Sequence, residues 1–156
     1  MKRAIIHADG ACFGNPGPAG IGVVVEYEGR TAEIARSIGS ATNNIAEYSA
    51  LVAGLEEAAR LGAEDVSVFL DSELAVKQML GKYRVKNEGL KPLFLRAKKL
   101  SQSFRKFSIR HVPREENARA DRLSKMGAEG EEKDTLHDTS AGPPMKDGEG
   151  QGSLFS

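Results

Sequence analysis

An α/β fold built on a mixed five-stranded sheet is predicted by three features of the sequence. Three extended segments follow one another directly near the start of the chain, helical periodicity then alternates with short β-branched runs, and the composition changes abruptly after Glu129. With 156 residues, 40% hydrophobic and 28% charged, the chain suits one domain and leaves little room for two.

Lys2 to Asp9 reads as a strand ending in an acid, and Ile21 to Tyr27 as a second strand rich in valine. Between them, Gly10 to Gly20 holds two prolines and four glycines, the composition of a turn. Glu28-Gly29-Arg30 is a short hairpin loop leading to a third strand over Thr31 to Ser37. From Asn44 to Leu61 the residues Ile45, Tyr48, Val52, Leu55 and Ala59 recur at helical spacing, with Thr42 or Asn44 as cap and Gly62 as stop. Val66 to Leu70 alternates as a strand and ends in Asp71, after which Ser72 can cap a helix reaching Leu80. A helix from Leu90 to Phe104, a strand from Phe107 to Val112 and a helix from Asn117 to Ala128 complete the order βββαβααβα.

Charge is segregated although its total is zero, with 22 Lys+Arg against 22 Asp+Glu. Residues 77–125 hold fifteen lysines and arginines against four acids, a surplus suited to an anionic polymer such as nucleic acid; the plainer reading is the solvated face of amphipathic helices. The apolar runs are far shorter than the ~20 residues that span a bilayer, and the first residues lack a signal-peptide core, so a cytoplasmic protein away from the membrane is expected. The single cysteine, Cys12, can neither close an internal disulfide nor share a thiolate metal site, so any metal is expected on oxygen or imidazole.

Four acids stand where other residues would be cheaper. Asp9 and Asp71 end strands that can lie side by side, Glu47 sits on the helix face shared with Leu51, Gly54 and Ala58, and Asp121 opens the last helix. Facing one hollow, four carboxylates would repel one another unless cations were present, and magnesium is the ion that favours such oxygen ligands. Each also has an innocent alternative: a strand stop for Asp9, a capping box with Asn44 for Glu47, a helix start for Asp71 and a dipole contact for Asp121.

The blocks Ala8-Asp9-Gly10-Ala11-Cys12-Phe13-Gly14-Asn15-Pro16-Gly17-Pro18-Ala19-Gly20, Thr42-Asn43-Asn44-Ile45-Ala46-Glu47-Tyr48, Leu70-Asp71-Ser72 and Asn117-Ala118-Arg119-Ala120-Asp121 together resemble a type 1 ribonuclease H over residues 1–129. The resemblance implies a ribonuclease H-like fold, a monomer, and cleavage of the RNA strand of RNA–DNA hybrids to 5′-phosphate and 3′-hydroxyl ends. It makes Asp9, Glu47, Asp71 and Asp121 the ligands of two Mg2+ ions, with Mn2+ as a substitute. It also places Gly10, Ala11, Cys12, Asn15, Asn43, Asn44 and Ser72 against the hybrid and Thr42 at a DNA phosphate; capping remains the alternative for Asn43 and Asn44. Where many relatives carry a mobile histidine, this loop reads His111-Val112-Pro113-Arg114-Glu115-Glu116, and Arg114 is favoured over His111 as the residue assisting catalysis. Ala8 and Glu73 depart from the common pattern, and the tryptophan-bearing basic protrusion is missing, with Lys82, Arg84, Lys86 and Lys91 as partial replacements. His7 reads as a packed strand histidine and His137 as a tail residue. A non-catalytic hybrid-binding module and a DNA nuclease on the same scaffold are the rival readings.

Residues 130–150, rich in Gly, Pro and acids, are expected to form a disordered linker, since they offer too little apolar surface to offset chain entropy. The end, Gln151-Gly152-Ser153-Leu154-Phe155-Ser156, resembles the peptide by which bacterial replication and repair proteins dock on the DNA sliding clamp. Gln151, Leu154 and Phe155 are its expected anchors.

Overall fold

The computed structural model describes residues 1–138, in which six strands form one sheet. Strand β1 (Arg3–Cys12) pairs antiparallel with β2 (Gly17–Tyr27), and β2 with β3 (Arg30–Ala41). The β2–β3 turn is the two-residue kind. Tyr27 faces Arg30, and Glu28 and Gly29 both take positive φ (50° and 76°), which matches the strand twist.

Helix α1 (Asn43–Leu61) starts at Thr42, whose hydroxyl accepts from the Ile45 amide, and ends at Gly62 in the left-handed region at φ 93°. It leads to β4 (Asp65–Leu70), parallel to β1. Short α2 (Glu73–Met79) is capped by Ser72, and α3 (Lys91–Gln102) packs against α1 with Phe94 edge-on to Tyr48. Strand β5 (Lys106–His111) runs parallel to β4, and a 3-10 turn (Arg114–Asn117) feeds α4 (Ala118–Ala128). The sixth strand, β6 (Lys133–Asp138), returns antiparallel to β3, giving the sheet order β5-β4-β1-β2-β3-β6.

The main core lies between the sheet and α1, where Ile6, Val23, Val25, Tyr48, Leu51, Leu55, Val66 and Val68 are buried. On the other face α4 packs over β2, with Leu123 against Val24 and Ala35. This packing is close because glycines line it: a Cβ on Gly22 would lie 2.2 Å from the Ala120 carbonyl oxygen, and one on Gly20 2.1 Å from the Ala128 nitrogen.

Three expectations are corrected. The sheet has six strands rather than five, because Lys133 to Asp138 gain a ready-made edge to pair with, which composition does not register. His137 accordingly stands in that strand opposite Thr31. The Gly10–Gly20 turn is much shorter than predicted: Gly10, Ala11 and Cys12 pair with Ile21, Gly20 and Ala19, so Asp9 lies inside a strand instead of ending it. Residues 139–150 of the expected linker, and Gln151, Leu154 and Phe155, lie outside the described residues. Among the described residues no helix is long and apolar enough to cross a membrane.

Candidate active site

Parallel pairing of β1 and β4 sets Ala8 beside Leu70, which brings Asp9 and Asp71, the residues that follow them, to one end of the sheet. Glu47 arrives from the second turn of α1. A Cβ on Gly10 would sit 2.3 Å from the Ala46 carbonyl carbon and 2.4 Å from the Glu47 nitrogen, so this glycine lets the helix come down beside Asp9. One oxygen from each of Asp9, Glu47 and Asp71 then falls within 4.8 Å of the other two.

These carboxylates are only partly compensated. Burial, then the charge of Asp71 and a hydrogen bond with Asp121, push the Asp9 carboxyl up to about 8. Burial also pushes Glu47 up to about 7, against an opposing hydrogen bond from Ser72. Asp71 Oδ2 is buried with no hydrogen-bond partner among the described residues. Asp121 lies at the rim. Burial alone would raise its pKa, but the hydrogen bond with Asp9, followed by Lys125 and Arg114, lowers it. Lys125 Nζ stands 3.1 Å from Asp121 Oδ2, and Arg114 Nη1 3.8 Å from Oδ1. An all-oxygen donor set with an orphaned oxygen and two carboxyls resisting ionisation fits a hard divalent cation.

Around the cluster, Ser72 has two duties, bonding Glu47 and accepting from the Ala75 amide 3.2 Å away at the start of α2. At the exposed edge, Asn43 receives the Cys12 thiol (3.5 Å) on its Oδ1, and its own amide donates to Asn15 Oδ1 (3.0 Å). Cys12, Asn15, Asn43 and the neighbouring Asn44 thus gather in one array beside Ala11. The cap of α1 is Thr42, not Asn43 or Asn44, and Glu47 closes no capping box. Both asparagines are left exposed. At Gly10 and Gly17 the close approach that glycine permits is to the chain's own backbone, the Ala46–Glu47 link and the Phe13 carbonyl respectively.

His111 ends β5, paired with Leu70 and exposed, while Arg114 sits on the 3-10 turn and faces Asp121. His7 stacks on Phe69 with ring centroids 5.1 Å apart. Two contacts escaped the sequence reading. Asn117 Nδ2 donates to the Ala8 carbonyl (3.0 Å), tying the start of α4 to the strand beside Asp9. Ser124 Oγ lies 3.2 Å from Asp9 Oδ2. Helical spacing from Asp121 would have pointed to Ser124 and Lys125, three and four residues on.

The chain matches the reverse transcriptase-like family over residues 7–127. It is 46% identical over 125 residues to a bifunctional protein of Mycobacterium tuberculosis, covering 78% of this chain but 34% of that protein. The chain therefore spans about a third of the length of that relative. Among solved structures, ribonuclease H1 of Halobacterium salinarum is 41% identical at TM-score 0.77, with 82% of this chain and 98% of that one covered. LC11-RNase H1 in complex with an RNA/DNA hybrid is 42% identical at TM-score 0.75, covering 81% and 97%.

Proposed function

The chain belongs to the reverse transcriptase-like family and carries a ribonuclease H-like domain, and from that premise we propose that it is a type 1 ribonuclease H, an endonuclease that hydrolyses the RNA strand of RNA–DNA hybrids. The observation that carries the reading is the convergence of Asp9, Glu47 and Asp71 with the orphaned Asp71 oxygen among them. The relative crystallised with an RNA/DNA hybrid supports the substrate class.

Asp9, Glu47 and Asp71 would hold the metal, with Asp121 supplementing them from the rim. When bound, two Mg2+ ions, or Mn2+ in their place, would supply water activation and stabilisation of the departing 3′ oxygen, leaving 5′-phosphate and 3′-hydroxyl ends. The protein's own share is orientation. Ser72 holds Glu47 by a hydrogen bond that favours its ionised form against burial, and Arg114 adds a fixed positive charge next to Asp121, where no proton transfer is open to a guanidinium. Gly10, Ala11, Cys12, Asn15, Asn43 and Asn44 read the minor groove of the hybrid, where the 2′-hydroxyl distinguishes RNA from DNA, and the α1 start at Thr42 receives a DNA phosphate.

The protein is read as a cytoplasmic monomer. Gln151, Leu154 and Phe155 dock on a bacterial sliding clamp, which delivers the nuclease to replication forks for primer or R-loop removal. Digestion of a labelled hybrid, duplex DNA and duplex RNA, with and without Mg2+, tests the activity. Metal-dependent cutting of RNA in the hybrid alone is expected; binding without cutting, or cutting of duplex DNA, would overturn it. Deleting residues 151–156 should leave hybrid cleavage unchanged and remove co-elution with a clamp.

A further inference from the structure

Asp9 is held from two points on α4, and only one of them is an acid. Besides its hydrogen bond with Asp121, its Oδ2 lies 3.2 Å from the hydroxyl of Ser124, one turn further along the helix. Ser124 is completely buried, and its Oγ also lies 2.7 Å from the Asp121 carbonyl oxygen. A hydroxyl has one proton to donate, so the two acceptors compete for it.

The approach that makes this contact possible is built into the sheet. Gly22 is the cross-strand partner of Asp9, and a Cβ there would come 2.3 Å from the Ser124 nitrogen. The absence of that side chain brings the second turn of α4 down onto the strand until a side chain as short as serine reaches the carboxylate. An alanine at 124 would leave the packing but offer no donor. A threonine would bring a methyl group into a site with no free surface.

Resting on the reading of Asp9 as a metal-binding carboxylate, we propose that Ser124 is a positioning residue. Its hydroxyl fixes the rotation of the Asp9 carboxylate by holding one oxygen, so that the group meets a cation in a single orientation. Partners of this kind, bonded to a ligand rather than to the metal, typically govern affinity by about ten- to a hundred-fold. The hydroxyl does so here without a charge of its own, in a place where another charge would add to the crowding of carboxylates.

The test is Ser124→Ala, read by calorimetric titration of the substrate-free protein with Mn2+ and by the Mg2+ dependence of hybrid cleavage. The expected result is about tenfold weaker Mn2+ binding and a Mg2+ midpoint raised by a similar factor. The KM for hybrid should be unchanged and kcat should recover at high Mg2+, while metal-free thermal stability stays level or falls modestly, since a buried carboxylate oxygen loses a donor. Wild-type Mn2+ affinity in the variant would overturn the proposal, whatever happens to stability. If the variant is too unstable to titrate, Ser124→Cys, which keeps a weaker donor, should fall between wild type and alanine; wild-type affinity there and a KM rise in its place would overturn it too. In the same assay Asp9→Asn separates the two levels of the argument. If wild type and Asp9→Asn bind Mn2+ equally, the metal-binding reading of Asp9 fails, and the role of Ser124 fails with it. If only Asp9→Asn loses binding, Ser124 alone is dismissed.

Discussion

Glu33 and Asp9 are both buried carboxylates, 7% and 5% exposed, and both meet α4 on the same face of the sheet, yet their proton affinities move in opposite directions. Glu33 lies between two cations. Lys133 Nζ of β6 is 2.6 Å from its Oε1, and Arg119 of α4 bonds its Oε2. Burial would raise its pKa, but the hydrogen bonds from Lys133 and Arg119 outweigh this and lower it. Asp9 has acids for neighbours where Glu33 has bases, and burial with the Asp71 charge drives it up to about 8. The lesson is that burial alone does not mark a functional carboxylate. What marks it is burial without a resident counter-charge, which leaves electrostatic strain for an exogenous cation to relieve.

The largest effect should come from removing the unpaired side of this comparison. Asp9→Asn or Asp71→Asn is expected to lower hybrid cleavage by more than about a thousandfold while circular dichroism stays native, since each removes a charge from the cluster but little packing. Activity within tenfold of wild type in either variant would dismantle the metal assignment.

Next in size is the pH dependence of the metal-free protein. The unfolded chain releases the Asp9 proton near its ordinary value of 3.8 and the folded protein near 8, so within that window the folded state binds more protons and stability falls as pH rises. Glu47, pushed up to about 7, adds to the same slope. Melting temperature in chelator should therefore decline from pH 4 to pH 8, and Asp9→Asn should flatten the decline. Saturating Mg2+ should reverse it at the upper end, because ligation needs the ionised form. A melting temperature that rises steadily across this window would refute the contrast.

Glu33→Gln should do the opposite. Its stabilisation is fully present above the ordinary carboxylate value of 4.5 and is lost as pH falls through the lowered folded value. With the two cations each about two-fifths exposed, the loss at pH 7 is discounted to about 1–2 kcal/mol. Denaturant unfolding at pH 7 and at successively lower pH checks both size and sign, and the deficit should shrink as pH falls below 4.5.

The smallest effect concerns Arg114, the cation between the two regimes, near Asp121 but too far at 3.8 Å for a hydrogen bond. Arg114→Ala should lower kcat by about tenfold, and His111→Ala by less, because Arg114 faces the cluster acid Asp121 whereas His111 ends β5 opposite Leu70. A larger loss from His111→Ala in side-by-side turnover assays would reverse this assignment.

Much of this was legible in the linear chain. Valine runs, the helical spacing of Ile45, Tyr48, Val52 and Leu55, and caps at Thr42 and Ser72 are local signals, and the elements they mark appear within a few residues of the expected bounds. The four acids stood out because each sits in a block with its own turn or cap. β6 was missed because nothing local makes Lys133-Asp134-Thr135-Leu136-His137-Asp138 a strand. The edge of β3 and the Glu33 carboxylate make it one, and both are distant in sequence. For the same reason Gly10 read as the start of a turn and Gly22 drew no reading of its own inside a strand, when each marks the place where a helix backbone comes to rest on the sheet.

What the sequence determined by itself is therefore the set of elements and the identity of the acids, since both depend on neighbours within a few residues. Tertiary structure alone decided which carboxylates lack a counter-charge. The parallel register of β1 with β4 puts Asp9 beside Asp71, and the glycine-lined descent of α1 and α4 brings Glu47, Asp121 and Ser124 to them. Only the return of β6 supplies Lys133 to Glu33. Coulombic energy depends on distance in space, and 33 and 133 are a hundred positions apart until the sheet closes the gap.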